Sequence, residues 1–383
     1  MSIFAGKCSK PMKRFVYFLF VALAAACQPA RQLEPASWDP TVRESLNELM
    51  ASAKGGYAVF DFDKTTIVND ISQAVWVYQI EHLCYADAPA HLFLDGVPDP
   101  DRLLPGTDVS FAQTGKVLQV EYKMMRAWKN LDKTWAQIRD TELYLDFRAR
   151  MYSLLVGLDQ VFGPSVSYLW MPGLLAGFTE EQARAVVREA ILEHLGQEKL
   201  GVQSWISPDG LWGGPVERGI YLSPEMKDLY RCLADNGVDA YICSASLELI
   251  VETLACDPQL GLGLPPERVF GLRFVPEQPL TAIFDSTYVQ PIGPGKVTCI
   301  ETFIAPSYKG GGPVLVGGDS NGDVPMLTAF PDTRHGLVID VGRKASSPIG
   351  ALAEEARAAD NRGKYLLQPV FVPVPDAIEG GGI

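Results

Sequence analysis

The feature that most constrains this chain is a short apolar run that ends in two carboxylates two positions apart. The run covers residues 57–60, and Asp61 and Asp63 follow it directly. A short apolar run with β-branched and aromatic residues is typical of a buried strand in a parallel sheet. Carboxylates at the end of such a strand are usually neutralised by a hard divalent cation, unless they only cap a turn. The pattern suits a nucleophilic carboxylate beside a second one that handles a proton.

Three later segments place polar side chains directly after further strand-like runs. Ser244 stands before a predicted helix, where its hydroxyl suits an anion site as well as an ordinary N-cap. Lys296 follows a tight glycine–proline turn, where a solvated surface lysine is the simplest alternative. Asp319 and Asp323 follow a glycine-rich strand end, where they can bind a cation or cap a turn. Each segment alone is weak evidence for a site, whereas four such segments in order are strong evidence.

In this order the four segments resemble the motifs of the haloacid dehalogenase superfamily of phosphohydrolases. The matching residues are Asp61-x-Asp63-x-Thr65, Ser244, Lys296 and Gly318-Asp319-x-x-x-Asp323. Dehalogenases lack the second aspartate of the first motif, so Asp63 favours phosphoryl transfer. Residues 57–341 are similar to the phosphoserine phosphatase branch, including its phosphorylcholine phosphatase-like relatives. The chain departs from that branch at Ala245 and Ser246, where glycines are common, and at Lys64, which replaces a small residue.

The resemblance implies an α/β fold with a Rossmann-like core, a central parallel sheet and an inserted, mostly helical cap of the C1 type. About 180 residues separate the first two motifs, far more than a strand-to-strand crossover requires. We therefore expect core segments at residues 51–75 and 223–383, and the cap insert at residues 76–222. Within the insert, Thr179 and Gln182 form a capping-box pattern that predicts the start of an amphipathic helix.

The resemblance also implies the chemical roles of the matched residues. Asp61 is expected to attack phosphorus and become an aspartyl phosphate. Asp63 is expected to protonate the leaving alkoxide and later to deprotonate the attacking water. Lys296 and Ser244, with Ala245 beside it, are expected to hold the phosphate oxygens.

A Mg²⁺ ion is the cofactor that the resemblance implies. Asp61, the backbone carbonyl of Asp63 and Asp319 are the expected ligands, with waters and a phosphate oxygen completing an octahedron. Asp323 is assigned to the same metal site. We expect Asp323 to orient a metal-bound water or Lys296 there and not to ligate the metal directly.

The sequence says less about the substrate. Asp70, nine residues after Asp61, stands where the branch carries an acidic residue that faces a substrate amino group. Thr65 is also expected at the substrate site, where its hydroxyl fixes the loop. The many aromatic residues of the insert either hold a quaternary ammonium group by cation–π attraction or form the cap core. Arg148 and Arg150 either meet a substrate carboxylate, as in phosphoserine phosphatases, or are solvated helix residues.

The N-terminus is a predicted targeting segment. Residues 1–26 form a predicted signal peptide with four basic and no acidic residues. Its uncharged run, residues 15–26, is too short to span a bilayer as a helix. The sequence around Cys27 resembles a bacterial lipobox, so we expect an exported, periplasmic lipoprotein; an ordinary signal peptide is the alternative. Residues 27–50 are expected to form a tether and an N-terminal helix.

The overall charge disfavours one class of function. The formal net charge of −13 at pH 7 argues against nucleic-acid binding. We therefore expect a Mg²⁺-dependent phosphomonoesterase outside the cytoplasm, acting on small substrates such as phosphocholine, phosphoethanolamine or phosphoserine. Membrane contact is expected only through an anchor at Cys27. Two alternatives stay open: a lipid-anchored binding protein without turnover, and a phosphotransferase that uses the same intermediate.

Overall fold

The computed structural model describes residues 30–86 and 92–371. The predicted signal peptide and the lipid-anchor position Cys27 lie outside the described residues. Helix α1 (Pro40–Ser52), which Asp39 caps, begins within the segment expected to hold an N-terminal helix. Within the described ranges, no helix is long and apolar enough to cross a membrane.

Parallel strands form the centre of the molecule. The described strands are β1 (Tyr57–Phe60), β2 (Gly201–Ile206), β3 (Gly213–Arg218), β4 (Asp239–Leu247), β5 (Val269–Leu272), β6 (Leu315–Gly318), β7 (His335–Asp340) and β8 (Tyr365–Pro369). Six of these strands form one parallel sheet in the order β5-β4-β1-β6-β7-β8. Strands β2 and β3 pair separately as an antiparallel ribbon.

Helices connect the strands and cover the sheet. After α1, the described helices are α2 (Ile71–His82), α3 (Phe111–Asn130), α4 (Trp135–Arg139), α5 (Glu142–Phe162), α6 (Pro164–Gly173), α7 (Glu180–His194), α8 (Pro224–Asp235), α9 (Glu248–Ala255), α10 (Pro294–Cys299), α11 (Val324–Ala329) and α12 (Pro348–Ala358). The predicted capping box at Thr179 and Gln182 starts α7. The central parallel sheet, its connecting helices and the largely helical insert confirm the predicted α/β fold.

The insert between β1 and β4 has a hydrophobic cluster of its own. Large aromatic side chains lie in it, among them Trp76, Phe147 and Trp205. Helix α2 contributes side chains to this cluster and to the cluster that packs on the sheet. Helix α7 packs in the sheet cluster, for example through Val187. The expected cap interval 76–222 therefore includes a helix that packs on the core, and the domain boundaries stay a prediction.

The register of the sheet brings distant segments to one edge. Phe60 pairs with Ile242 on one side and with Gly317 on the other. Because these three strands are parallel, the residues that follow them emerge side by side at the carboxyl edge. A glycine is needed at position 318, because a Cβ atom there would lie 2.4 Å from Cβ of Asp323. The strand ends that carry the sequence motifs therefore meet.

Candidate active site

A buried lysine links two of the carboxylates. Lys296 lies in the first turn of α10, and only 2% of its side chain is exposed. Its Nζ donates to Oδ1 of Asp61 at 2.5 Å and to Oδ1 of Asp323 at 2.6 Å. Gly295 permits the tight turn, since a Cβ atom there would lie 2.2 Å from the carbonyl oxygen of Gln290. Lys296 is therefore part of the acidic cluster and not the solvated surface residue that the sequence left open.

Asp63 is held by hydrogen bonds from two directions. Its Oδ1 accepts the backbone amide of Ile71 at 2.7 Å, and its Oδ2 accepts the hydroxyl of Ser246 at 2.6 Å. These contacts fix the carboxyl group between the start of α2 and the end of β4. Burial, followed by the charges of Asp70 and Asp61, raises the pKa of Asp63 well above its ordinary value. A carboxyl group that keeps its proton at neutral pH can act as a general acid.

Both oxygens of Asp323 are engaged by the protein itself. Oδ1 accepts Lys296, while Oδ2 accepts the amide of Asp319 at 3.1 Å and the amide of Ser320 at 2.9 Å. The hydroxyl of Ser320 also donates to Oδ2 at 2.9 Å. This full set of partners favours an orienting role for Asp323 over direct metal ligation.

Asp319 has its two oxygens in different surroundings. Oδ2 accepts Nη2 of Arg343 at 2.7 Å, and Nε of Arg343 lies 3.3 Å from the backbone carbonyl of Asp319. Oδ1 lies 3.5 Å from the hydroxyl of Thr65, which is 3.4 Å from Oδ2 of Asp61. Carboxylate oxygens of Asp61, Asp319 and Asp323 lie within 4.8 Å of one another. Thr65 therefore stands between two of the carboxylates expected to bind metal.

Burial makes this acidic cluster hard to ionise. Burial, followed by the charge of Asp323, raises the pKa of Asp61 to about 8, although Lys296 opposes the shift. The same two causes raise the pKa of Asp319 to about 6. Burial disfavours the charge of Lys296, but Asp323 and Asp61 outweigh it and raise the pKa of the ammonium group. The cluster thus holds more carboxyl groups than its neighbouring cations neutralise.

The donor set fits a divalent cation that prefers oxygen ligands. Burial and the charge of Asp323 raise the pKa values of Asp61 and Asp319, and a Mg²⁺ ion would favour their charged forms. One oxygen of each of these residues faces Thr65 and is free of the lysine and arginine contacts. The side chain of Asp63 is committed to Ile71 and Ser246, so only its backbone carbonyl fits the expected ligand role.

Ser244 lies within an extended strand, not at the start of a helix. Strand β4 continues through Ser244 and Ala245 to Leu247, and α9 begins at Glu248. Ser244 is fully buried, and its hydroxyl accepts the amide of Ser246 at 3.0 Å. The ordinary N-cap interpretation of Ser244 is therefore wrong, because the backbone stays extended for three more residues.

Asp70 lies near Asp63, and an aromatic residue of the cap lies near Asp70. Asp70 caps α2 by accepting the amide of Gln73 at 2.9 Å, and burial raises its pKa. Tyr168 projects from α6 and is 48% exposed. Burial, followed by the charges of Asp70 and Asp159, raises the pKa of Tyr168 to about 12. A partly exposed ring of the cap therefore lies within electrostatic range of Asp70.

Other aromatic and basic residues of the insert have structural roles. Four tryptophans are buried in the cap cluster: Trp76, Trp170, Trp205 and Trp212. For these the cap-core interpretation holds. Nε of Arg150 donates to Oδ2 of Asp146 at 2.5 Å, and its guanidinium lies 4.5 Å from the ring centre of Trp212. Arg150 is therefore paired inside the cap, and it is not a solvated helix residue.

A cleft of about 640 Å³ adjoins the acidic cluster. Its lining includes Lys64, Thr65, Tyr221, Arg343 and Phe371. Thr65 and Arg343 also contact the acidic cluster, so the cleft lies beside that cluster.

Three contacts in the site were not predicted from the sequence. The departure from the glycine pattern at Ser246 was a usable signal, since a hydroxyl there can reach Asp63. Arg343 and Tyr168 carry no local pattern that separates them from ordinary surface residues. Only the packing of the loop after β7 and of α6 brings them to the site.

A known phosphatase and several solved structures are similar to this chain. No protein-family model matches the chain. The chain is similar to phosphorylcholine phosphatase of Pseudomonas aeruginosa, with 26% identity over 254 residues. That match covers 66% of this chain and 59% of the relative, so the chain spans less than two thirds of that protein's length.

Two solved structures are also similar. A functionally unknown protein from Anaerococcus prevotii matches with a TM-score of 0.75 and 27% identity, covering 88% of this chain and 94% of that one. A HAD family hydrolase from Salmonella enterica serovar Typhi matches with 13% identity over 75% of this chain and 63% of its own. Its TM-score of 0.37 carries no structural argument.

The parallel sheet, with two carboxyl groups after its central strand and a lysine among further carboxylates, defines the class. Such an edge suits a nucleophilic aspartate at a strand end. The chain resembles the phosphatases of the haloacid dehalogenase superfamily, in the phosphoserine phosphatase-like branch.

Proposed function

We propose that this protein is a Mg²⁺-dependent phosphomonoesterase that hydrolyses small, amine-bearing phosphate esters. The observation that carries the proposal is the contrast between Asp61 and Asp63. Asp61 is tied to Lys296 in the acidic cluster, whereas Asp63 is held apart by Ile71 and Ser246. Two neighbouring carboxyl groups in different surroundings suit two different chemical roles.

Asp61 supplies the nucleophile. One of its oxygens attacks phosphorus, and the bond from phosphorus to the leaving oxygen breaks as the aspartyl phosphate forms. Asp63, protonated because its pKa is raised, gives its proton to the leaving alkoxide. It then takes a proton from the water that attacks phosphorus, which releases phosphate and restores Asp61.

The phosphate group is held by residues of α10 and β4. Lys296 offsets its charge, and Ser244 and Ala245 at the end of β4 provide hydrogen bonds to its oxygens. A Mg²⁺ ion held by Asp61, Asp319 and the backbone carbonyl of Asp63 would supply the charge that ionises the nucleophile.

We assign recognition of the amine to Asp70 and Tyr168. A carboxylate and an aromatic ring face ammonium groups favourably, the ring through cation–π attraction. Tyr168 lies on the cap, within electrostatic range of Asp70. The similarity to phosphorylcholine phosphatase supports phosphocholine as the first substrate to examine.

We also propose that the protein acts outside the cytoplasm, anchored by a lipid at Cys27. The support is the basic and apolar pattern of residues 1–26 followed by that cysteine. Metabolic labelling with radioactive palmitate should mark the wild type expressed in bacteria and not Cys27→Ser. Equal labelling of both would contradict the anchor.

The activity is tested with purified protein of residues 28–383, by measuring the phosphate that it releases from phosphate esters. Four substrates are assayed: phosphocholine, phosphoethanolamine, phosphoserine and a generic aryl phosphate. The rate of phosphate release is measured for each in the presence of Mg²⁺ and in the presence of EDTA. Wild type and Asp101→Asn, an exposed matched control, should turn over with Mg²⁺ only, and Asp61→Asn should be inactive. Tyr168→Ala should raise KM for phosphocholine more than for the aryl phosphate. A folded wild type that releases no phosphate from any of these esters would overturn the proposal.

A further inference from the structure

Helices α2 and α7 pack side by side and end in the same kind of sequence. The last two residues of α2 are Glu81 and His82, and those of α7 are Glu193 and His194. The C-terminal end of a helix carries partial negative charge from its free carbonyl groups, which favours a cation nearby. These four residues lie away from the acidic cluster of the active site and have no part in the proposed reaction.

Three of these side chains converge. A carboxylate oxygen of Glu81, a carboxylate oxygen of Glu193 and a ring nitrogen of His194 all lie within 4.8 Å of one another. His82 adjoins the group, because its Nε2 lies 2.9 Å from Oε2 of Glu193. One imidazole and two carboxylates are a donor set that suits zinc and related divalent transition metals.

His194 points independently to a ligand. It is only 3% exposed, and among the described residues its Nε2 has no hydrogen-bond partner. A buried polar atom without a partner destabilises the folded state, and a bound ion would relieve this. Burial, followed by the charge of Arg218, lowers the pKa of His194. Neutral imidazole is the form that binds metal ions.

Arg218 is the competitor that a metal ion would meet. Its Nη1 and Nη2 donate to the two oxygens of Glu81 at 2.7 and 2.9 Å. Arg218 thus supplies one guanidinium beside the two carboxylates of Glu81 and Glu193. An ion bound to Glu193 and His194 can take one carboxylate oxygen of Glu81 as its third ligand. Arg218 can keep its hydrogen bond to the other oxygen of Glu81.

We propose that Glu81, Glu193 and His194, joined by His82, form a second metal site that binds one divalent transition-metal ion. The ion would join the end of α2, where the insert begins, to the end of α7. The site is distinct from the acidic cluster at the sheet edge. That cluster offers only oxygen ligands and suits Mg²⁺.

Cobalt is the probe for this site, because Co²⁺ bound by nitrogen and oxygen ligands absorbs visible light. Metal-free protein, residues 28–383, is titrated with Co²⁺ in excess Mg²⁺, which fills the acidic cluster and competes poorly for imidazole. Zn²⁺ is then added to displace the cobalt, and thermal unfolding is followed with and without Zn²⁺. We expect one equivalent of Co²⁺, visible absorption bands, and a higher Tm with Zn²⁺.

Glu193→Gln should weaken Co²⁺ binding at least about tenfold and remove the Zn²⁺ effect on Tm. It changes an exposed side chain, so the fold should persist, and far-UV circular dichroism checks this. His194→Gln should have the same effect. Glu189→Gln, an exposed glutamate one turn earlier on α7, should bind like wild type. Absence of a bound cobalt in the wild type, or equal binding by folded Glu193→Gln, would overturn the proposal.

Discussion

At the scale of single residues, the site depends on how its carboxyl groups are divided. Asp63 takes one hydrogen bond from the backbone and one from Ser246, which in turn accepts the hydroxyl of Ser72 at 2.9 Å. Asp61 has none of these partners and belongs to the cluster around Lys296. In the proposed reaction, this division gives proton transfer to Asp63 and attack on phosphorus to Asp61.

Ser246→Ala tests the orientation of Asp63. Loss of the hydroxyl frees one carboxyl oxygen, so we expect kcat to fall about tenfold, with KM nearly unchanged, because proton transfer matters only in the reaction steps. Steady-state kinetics with Mg²⁺ measures both constants. Ser165→Ala, an exposed serine of α6, is the matched control. A rise in KM alone would instead place Ser246 among the substrate contacts.

Arg343→Ala tests the orientation of Asp319. The guanidinium holds Oδ2 and leaves Oδ1 directed toward Thr65, so its loss should weaken Mg²⁺ binding about tenfold. Isothermal titration calorimetry measures the affinity directly. Lys344→Ala removes the same charge from the neighbouring exposed residue and should bind Mg²⁺ like wild type. If Arg343→Ala binds Mg²⁺ more tightly, charge repulsion by Arg343 outweighs its orienting contact.

The main residues of the site are predictable from sequence because they follow strands. Asp61, Ser244 and Asp319 each stand just after or near the end of a parallel strand, and such ends meet at one edge. Arg343 and Tyr168 are not predictable in this way. The position of Arg343 depends on the path of the loop after β7, and that of Tyr168 on how α6 packs. Neither property produces a periodic pattern in the sequence.

At the scale of elements, the cap contains a pair of acids, of which Glu121 is buried. Glu121 of α3 and Asp146 of α5 share Arg150, which lies 3.9 Å from Oε1 of Glu121 and 2.5 Å from Oδ2 of Asp146. Burial, followed by the hydrogen bond and charge of Asp146, raises the pKa of Glu121 to about 9. Glu121 therefore keeps its proton in the folded cap at neutral pH.

This raised pKa predicts how stability depends on pH. The folded state binds the proton of Glu121 more tightly than the unfolded chain does. The stabilisation from this proton is therefore complete below the ordinary glutamate pKa of 4.5, and it is lost as pH rises through about 9. The side chain of Glu121→Gln stays neutral at every pH. We therefore expect its free energy of unfolding to exceed that of wild type by about 1–2 kcal/mol at about pH 9 and to match it at about pH 5.

Thermal or urea unfolding at the two pH values measures this difference. Glu142→Gln, an exposed glutamate of α5, serves as the control and should follow wild type at both. An equal loss of stability with pH in wild type and Glu121→Gln would show that Glu121 does not carry the effect.

Several elements follow from local sequence, and others do not. Capping patterns at Thr179 and Ser223 predict the starts of α7 and α8, because the caps are made within one turn. Strands β5 and β8 were not predicted, since short apolar runs do not by themselves separate strand from loop. The ribbon β2–β3 is also missed, because its strands contain glycine and proline and acquire their pairing only within the insert.

At the scale of the whole molecule, two hydrophobic clusters meet along α2. One face of this helix packs with the sheet and the other with the cap aromatics. Asp70 caps its first turn beside the active site, and His82 ends it at the proposed second metal site. The helix therefore connects the chemistry at the sheet edge with the body of the cap.

The central claim is that Asp61 carries the phosphoryl group during turnover. The most direct measurement is acid quenching of the enzyme during reaction with radioactively phosphate-labelled phosphocholine, followed by peptide mapping. The account predicts acid-stable label on the peptide that contains Asp61, which disappears when unlabelled substrate is added and is absent from Asp61→Asn. Full turnover without label on that peptide, together with an active Asp61→Asn variant, would contradict it.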